Sequence, residues 1–205
     1  MLPRLLFVIM VLCGLFTDFS AAGPAPFSAA DWKIAVTELA YADKVQDPDR
    51  PASIDRGELY KFTADLKGEL IKAGFELVQG RPFTMQNTAK LFDIIDHIKQ
   101  GYYKGATHVL FGRVSHVEFR NDPVVRINHV WSHCLNLTLV AEFSLINTQS
   151  YATVAAFSSI GEGSDVRLVS TPNTVVAWDR SKMVQEVSRS LGIDVVMLIQ
   201  GQLKK

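Results

Sequence analysis

The sequence has little cysteine and no excess of either charge. Only Cys13 and Cys134 occur in 205 residues, and 21 basic residues balance 21 acidic ones. Proteins that bind nucleic acid or a membrane surface through charge normally carry an excess of lysine and arginine, and no basic block occurs here. The composition therefore predicts neither nucleic-acid binding nor polybasic adhesion to a membrane.

Long hydrophobic runs are also scarce, and the one clear run lies at the N terminus. Leu5 to Phe16 is uncharged for 12 residues, whereas crossing a bilayer takes about 18 to 20. Arg4 precedes this run and the small residues 20–22 follow it, which is the arrangement of a secretory leader. We therefore expect residues 1–22 to be a signal peptide that is cleaved after Ala22.

The leader also bears on the two cysteines. A lipid-anchored bacterial leader needs a small residue directly before its cysteine, but Leu12 precedes Cys13, so lipidation at Cys13 is disfavoured. Cleavage would leave Cys134 as the sole cysteine, and a packed core must then supply the stability. We expect a Pro/Ala-rich flexible spacer over 23–31 and a single domain over 32–205.

The domain begins with alternating strand and helix patterns. Apolar residues at spacings of three and four predict a helix that ends at Gly74, and a second such helix is predicted to open at Asn87 or Thr88. Strands are predicted before, between and after the two helices, and this β-α-β-α-β order indicates parallel neighbouring strands. The strand segments are "WKIAVTELAY", Phe75 to Gln79, and "THVLFGRVSHVEFR"; the first helical stripe is Leu59, Phe62, Leu66, Leu70 and Ile71.

The pattern changes from Cys134 onward. Apolar side chains alternate with polar ones up to Ile146, which is typical of an antiparallel strand with one buried face. "ATVAAFSSIGEG" is predicted to return as the next strand before a flexible "GEGSD" loop. A last helix is predicted over about Ser181 to Leu203, with a kink or break at Gly192. The fold class is α/β (α+β), a mixed sheet packed with helices. The expected stripe of the last helix is Met183, Val184, Val187, Leu191, Val195 and Leu198.

The segment "HVWSHC", His129 to Cys134, concentrates side chains that could bind metal or act in catalysis. Histidines four residues apart share a metal ion on a helix, but on an extended chain their Cβ atoms lie about 13 Å apart. Since a strand follows directly, we predict no catalytic, metal or cofactor site here and interpret Trp131 as a packing or interface anchor. The open alternative is a metal-dependent hydrolase that uses His129, His133 and Cys134.

Binding residues are instead expected on long loops. No nucleophile elbow, Walker loop, dinucleotide fingerprint or calcium loop occurs in the chain. Long loops on a rigid sheet are where binding residues concentrate, and two are predicted, over 41–56 and 121–133. The candidate contact residues are Tyr41, Asp43, His129 and Trp131. A homo-oligomer that uses the charge-free Ile127 to Trp131 region or a strand edge as its interface is a further alternative.

Three segments resemble small bacterial envelope proteins. They are "KIAVTELAY", "ELIKAGFELVQG" and "KGATHVLFGRVSHVEF", within about residues 33 to 120. The families are the outer-membrane activators of penicillin-binding proteins, the periplasmic domain of the curli-secretion channel and the N-terminal domain of the Tol-system propeller protein. The resemblance implies a periplasmic, non-enzymatic adaptor that contacts a periplasmic or outer-membrane protein, in peptidoglycan synthesis or in secretion. It concerns core positions, so no functional residue is carried over.

Overall fold

A computed structural model of the chain describes residues 32–42, 54–81 and 90–202. The expected leader and spacer lie outside these residues. The described part is a mixed sheet with three helices, which confirms the predicted fold class. Its elements are β1 (Lys33–Val36), β2 (Ala40–Tyr41), α1 (Arg56–Lys72), β3 (Glu76–Leu77), α2 (Leu91–Lys99), β4 (His108–Asn121), β5 (Val125–Ile127), β6 (Val130–Asn147), β7 (Thr153–Val169) and α3 (Arg180–Gln202).

The sheet is parallel at its start and antiparallel at its end. β1 lies between β3 and β4 and is parallel to both, and β2 pairs in parallel with β4 further along. β6 is antiparallel to β4 on one side and to β7 on the other. β5 pairs with the first residues of β6, beyond the end of β4, and so lies on the same side of β6 as β4 does. The change of strand direction that the sequence pattern predicts at Cys134 is therefore confirmed.

Helices cover both faces of the sheet, but unequally. α1 and α3 pack on one face, where the alternating leucines of β6 are buried with the apolar stripes of both helices. α2 packs on the opposite face. Among the described residues, the hydrophobic cluster around α2 includes only three residues of the long strands, Val109, Phe111 and Ile146. We call the face of β4 to β7 opposite α1 and α3 the open face, because α2 covers only its end near β1.

The first helix ends as its sequence predicts, and a capping box sets its start. Asp55 accepts a hydrogen bond from the backbone N–H of Glu58 at 2.8 Å, and the Glu58 carboxylate accepts one from the backbone N–H of Asp55 at 2.9 Å. This capping box fixes the start of α1, and Gly74, with a φ of 90°, follows its end. Ile71 was expected in the buried stripe but is exposed. Asn87 and Thr88 lie outside the described residues, and the described part of the second helix begins at Leu91.

The segment "GEGSD" is part of a strand, so the predicted flexible loop is wrong. β7 runs through it, and Gly161 and Gly163 face α3. A Cβ atom at Gly161 would lie 2.7 Å from the carbonyl oxygen of Val187. Glycine therefore serves here to admit the backbone of a helix, not to provide a hinge.

The break predicted as one possibility at Gly192 does not occur, because α3 is helical without interruption over Arg180–Gln202. A Cβ atom at Gly192 would lie 3.0 Å from Cγ of Glu69 on α1, so this glycine lets the two helices approach closely. The buried stripe is completed by Ile199, whereas Leu198 is only partly buried.

Side chains of α3 also occupy the outer edge of β7. Three successive outward-pointing N–H groups of the strand donate to acceptors spaced four residues apart on the helix. The pairs are Ser164 to Glu186 at 2.9 Å, Glu162 to Ser190 at 2.8 Å, and Ile160 to Asp194 at 3.4 Å. This part of the edge is thereby closed to further strand pairing.

Candidate binding surfaces

The strands β6 and β7 form a long β-hairpin, and the segment His129–Cys134 lies at the end of this hairpin that is away from its turn. Asn128 and His129 form a two-residue turn between β5 and β6, and Asn128 has a φ of 56°, a left-handed conformation that asparagine tolerates. The segment is thus turn and strand, as predicted from its sequence. The predicted loop over 121–133 is wrong, because β4 reaches Asn121 and the short β5 pairs with β6. Only 122–124 and the turn itself lie outside strands.

The four predicted contact residues fall in different environments. Trp131 is partly buried, with the guanidinium carbon of Arg126 5.7 Å from its ring centroid, a cation–π contact. His129 is exposed in the turn, and Asp43 lies outside the described residues. Tyr41 is only 8% exposed and its hydroxyl donates to the carbonyl of Ile54. Burial raises the pKa of Tyr41 to about 12. Its ring belongs to the core, so a partner contact at Tyr41 does not fit the structure.

His129, His133 and Cys134 do not converge. His129 is in the turn, and the alternation of β6 places His133 and Cys134 on opposite faces of the sheet. Nε2 of His133 is buried without a hydrogen-bond partner. Partial burial, together with the Asp122 carboxylate, raises the pKa of the Cys134 thiol, which is the opposite of what a nucleophile needs. Across 32–42, 54–81 and 90–202, no three His, Cys, Asp or Glu side chains are grouped so as to hold a metal ion.

A charged cluster fastens the hairpin to the start of α3. The Asp165 side chain is only 3% exposed; it accepts hydrogen bonds from the Asp179 backbone N–H at 2.8 Å and from Nε of Arg167 at 2.9 Å. Nζ of Lys182 lies 3.8 Å from the other carboxylate oxygen. The hydrogen bond from Asp179, followed by the bond to Arg167, holds the pKa of Asp165 below its usual value. Asp165 and Arg167 lie two residues apart on β7, and the fold brings Asp179 and Lys182 at the start of α3 to them.

A second ion pair fastens α3 to α1. Nε and a terminal nitrogen of Arg180 donate to the two carboxylate oxygens of Glu58 at 2.7 and 2.8 Å. The guanidinium also lies over the ring of Phe119, 5.0 Å from its centroid. This bidentate geometry orients the guanidinium at the junction of two helices and a strand.

A surface pocket of about 350 Å³ lies on the open face beside α2. Its floor is a grid of cross-strand neighbours: Phe111, Ser144 and Ala156 in one row, and Arg113, Glu142 and Ser158 in the next. Leu91 of α2 forms a wall. Arg113 and Glu142 are ion-paired at 3.0 Å. The concavity exists because the β7 side chains on its floor, Ala156 and Ser158, are small. The pocket therefore combines an apolar wall with one fixed polar pair, which suits an apolar side chain that carries a polar neighbour.

The search for relatives identifies the fold but no family. No protein family and no curated protein matches the chain. A hypothetical protein of Chlamydia trachomatis shares the fold with a TM-score of 0.50 and 9% identity, over 84% of this chain and 97% of the other. At that identity the match shows the fold alone, without an activity.

Other similar structures have lower scores. A homologue of a neuraminyllactose-binding hemagglutinin from Helicobacter pylori has a TM-score of 0.45 and 12% identity, over 86% of this chain and 88% of the other. PelC of Paraburkholderia phytofirmans, crystallised as a dodecamer, has a TM-score of 0.39 and 16% identity, over 88% and 91%. Further similar chains are lipoproteins by name. Cys13 lies outside the described residues, so the absence of lipidation there stays a prediction. None of the described helices is both long and apolar enough to cross a bilayer.

Proposed function

We propose that this chain is a non-enzymatic binding or adaptor protein of the bacterial periplasm, and that it receives an extended segment of a protein partner beside the pocket on the open face. The leader predicted over 1–22 supports the compartment, and the resemblance of three sequence segments to envelope adaptors supports the class. The observation that carries the binding mode is the pocket floor formed by β7, because this strand lies at the edge of the described sheet.

The position of the pocket along β7 supports strand addition. N–H groups of residues 160, 162 and 164 point outward and are occupied by α3. By the alternation of a strand, the N–H groups of Ala156 and Ser158 point to the same edge, but beyond the reach of those α3 side chains. Both residues are exposed and both line the pocket. A partner strand could pair with this edge through its main chain while one of its side chains enters the pocket.

The test is capture of a partner by the mature chain, residues 23–205, from a periplasmic extract, followed by reconstitution with the purified partner. Ala156→Trp fills the pocket and Ser158→Pro removes an edge donor, so each should weaken binding by about tenfold or more. Ser132→Trp, on the same face but at the far end of the hairpin, is the matched control and should bind normally. Thermal melts check that all variants fold.

Two results would overturn this proposal. If the wild type, Ala156→Trp and Ser158→Pro bind the partner equally well, the pocket and the edge of β7 are not the contact site. One equivalent of bound zinc in the purified protein, with hydrolytic turnover lost on replacing His133, would favour the hydrolase alternative. Light scattering on the same samples measures the mass and so tests the homo-oligomer that the sequence also allows.

A further inference from the structure

The far end of the hairpin has an unusual composition. We call residues 123–134 and 166–178 the tip; the first range contains β5, the turn and the start of β6, and the second contains the end of β7 and the connection to α3. Neither range contains an aspartate or a glutamate, although the chain has 21 acidic residues. Arg126 and Arg167 lie in the tip, as do two of the three tryptophans, Trp131 and Trp178. The whole chain is therefore neutral, although the tip contains basic residues and no acidic ones.

The tip also exposes aliphatic side chains in one continuous patch. Val125, Ser132 and Leu168 are neighbours in one row across three strands on the open face, and Val166 lies in the next row. Val125 is 54% exposed and Leu168 is 64% exposed. In the connection to α3, Val175 is 96% exposed. The wet face of an antiparallel sheet is normally polar, so such a patch marks a contact surface.

The acids nearest to the tip are already compensated. Asp122 is paired with Arg120 at 3.3 Å, and Asp165 is held by Arg167 and Lys182. Asp179, which directly follows the tip, is exposed but accepts a hydrogen bond from the backbone N–H of Lys182 at 3.0 Å at the start of α3. Arg126 lies on the ring of Trp131 and is not paired with a carboxylate in the described part of the chain. An anionic surface that approaches the tip would therefore meet cations and aliphatic groups without meeting a free carboxylate.

We propose that the tip docks on the surface of a membrane that contains anionic phospholipid. The register places Val125 and Leu168 on the open face and Arg126 and Trp131 on the opposite face, so the tip would approach the membrane end-on. Val125, Leu168 and Val175 would then enter the boundary between headgroups and acyl chains, while Arg126 and Trp131 would lie at the level of the phosphates and the interface. A strand end with aliphatic side chains on one face, an arginine on the other and no acid in either range complements an anionic lipid surface. This goes beyond the proposed adaptor function, whose contact with protein lies at the other end of β7.

The test measures co-sedimentation of the mature chain, residues 23–205, with two kinds of vesicle. We expect binding to phosphatidylethanolamine vesicles that contain phosphatidylglycerol, weaker binding to phosphatidylcholine alone, and loss of the difference in high salt. Leu168→Asp and Val125→Asp should each weaken binding by about tenfold or more, since each places a charge where an apolar side chain must be buried. Val154→Asp is the matched control, because Val154 is also exposed on β7, at the opposite end of the strand.

Each remaining outcome counts against the membrane contact. Absence of vesicle binding overturns it, and so does equal loss in Leu168→Asp and Val154→Asp. If the wild type does not bind vesicles and Leu168→Asp no longer binds a protein partner, the tip contacts protein and not lipid. Failure of vesicle binding leaves capture at the pocket unaffected, so the two proposals fail separately.

Discussion

The most direct test of the packing between β7 and α3 is the substitution Gly163→Ala. A Cβ atom at this position would lie 2.5 Å from the carbonyl oxygen of Met183 and 3.0 Å from Cβ of Glu186. The oxygen belongs to the backbone of α3, so no side-chain rotation can relieve the contact. The whole helix would have to move away from the sheet, and α3 is also packed on α1.

The expected cost follows from two opposing effects. Inserting a methyl group into a filled contact costs about 1–3 kcal/mol. Replacing a strand glycine by alanine would, without the contact, stabilise the fold by about 0.5–1 kcal/mol, because the unfolded chain loses freedom. A contact of 2.5 Å with a backbone oxygen belongs to the upper part of the first range, about 2–3 kcal/mol. We therefore expect the free energy of unfolding to fall by about 1–2.5 kcal/mol, which for a chain of this size lowers Tm by about 2–10 °C.

The assay is urea unfolding followed by circular dichroism, with thermal melts on the same samples. Gly68→Ala in α1 is the matched control, because no atom lies within 4 Å of the added methyl group; it should stabilise by about 0.5–1 kcal/mol. If Gly163→Ala were as stable as the wild type, α3 would not contact β7 this closely and the explanation of "GEGSD" would be wrong.

Three further predictions concern single contacts. Arg180→Met removes the bidentate pair with Glu58 and should lower the free energy of unfolding by about 1–2 kcal/mol, since the arginine is partly exposed; an unchanged urea midpoint would contradict this. Burial lowers the pKa of His108, so the native state binds fewer protons than the unfolded state, and stability should fall as the pH drops below about 6.5. His108→Phe should lack that component of the pH profile, and an identical profile would refute it. Ser190→Ala leaves the Glu162 N–H without its acceptor and should cost about 0.5–1.5 kcal/mol, with faster hydrogen exchange at that amide; unaltered exchange would exclude the capping role.

Some features could be predicted because their cause is local or periodic. The capping box of Asp55 and Glu58 and the glycine at 74 set the limits of α1 by contacts within a few residues. The alternation from Leu135 to Leu145 predicts one buried face, because side chains of a strand point to opposite sides in turn. All of these apolar side chains are buried.

The errors occurred where a residue's role depends on a distant partner. Tyr41 lies beside a polar segment, which suggests a surface loop, but β2 carries it into the core against Ile54. The three residues of β5 are too few to show a pattern, and their pairing with β6 defines them as a strand. Ile71 continues the apolar spacing of α1, yet it is exposed and no element within 32–42, 54–81 and 90–202 covers it.

The amino-acid pattern alone thus established a mixed α/β class, the direction of the strands, most of the core and an expected secretory leader, since these depend on period and on near neighbours. The clustering of Asp165 with Arg167 and Lys182, the capping of β7 by α3, the pocket beside α2 and the acid-free tip come from the tertiary fold. Each includes residues from different elements, which become adjacent only across strands or between a strand and a helix. The spacing of residues along the sequence does not give the distance between residues of different elements. The surfaces proposed here for protein and for lipid could therefore be recognised only from the pairing of the strands and the packing of α3.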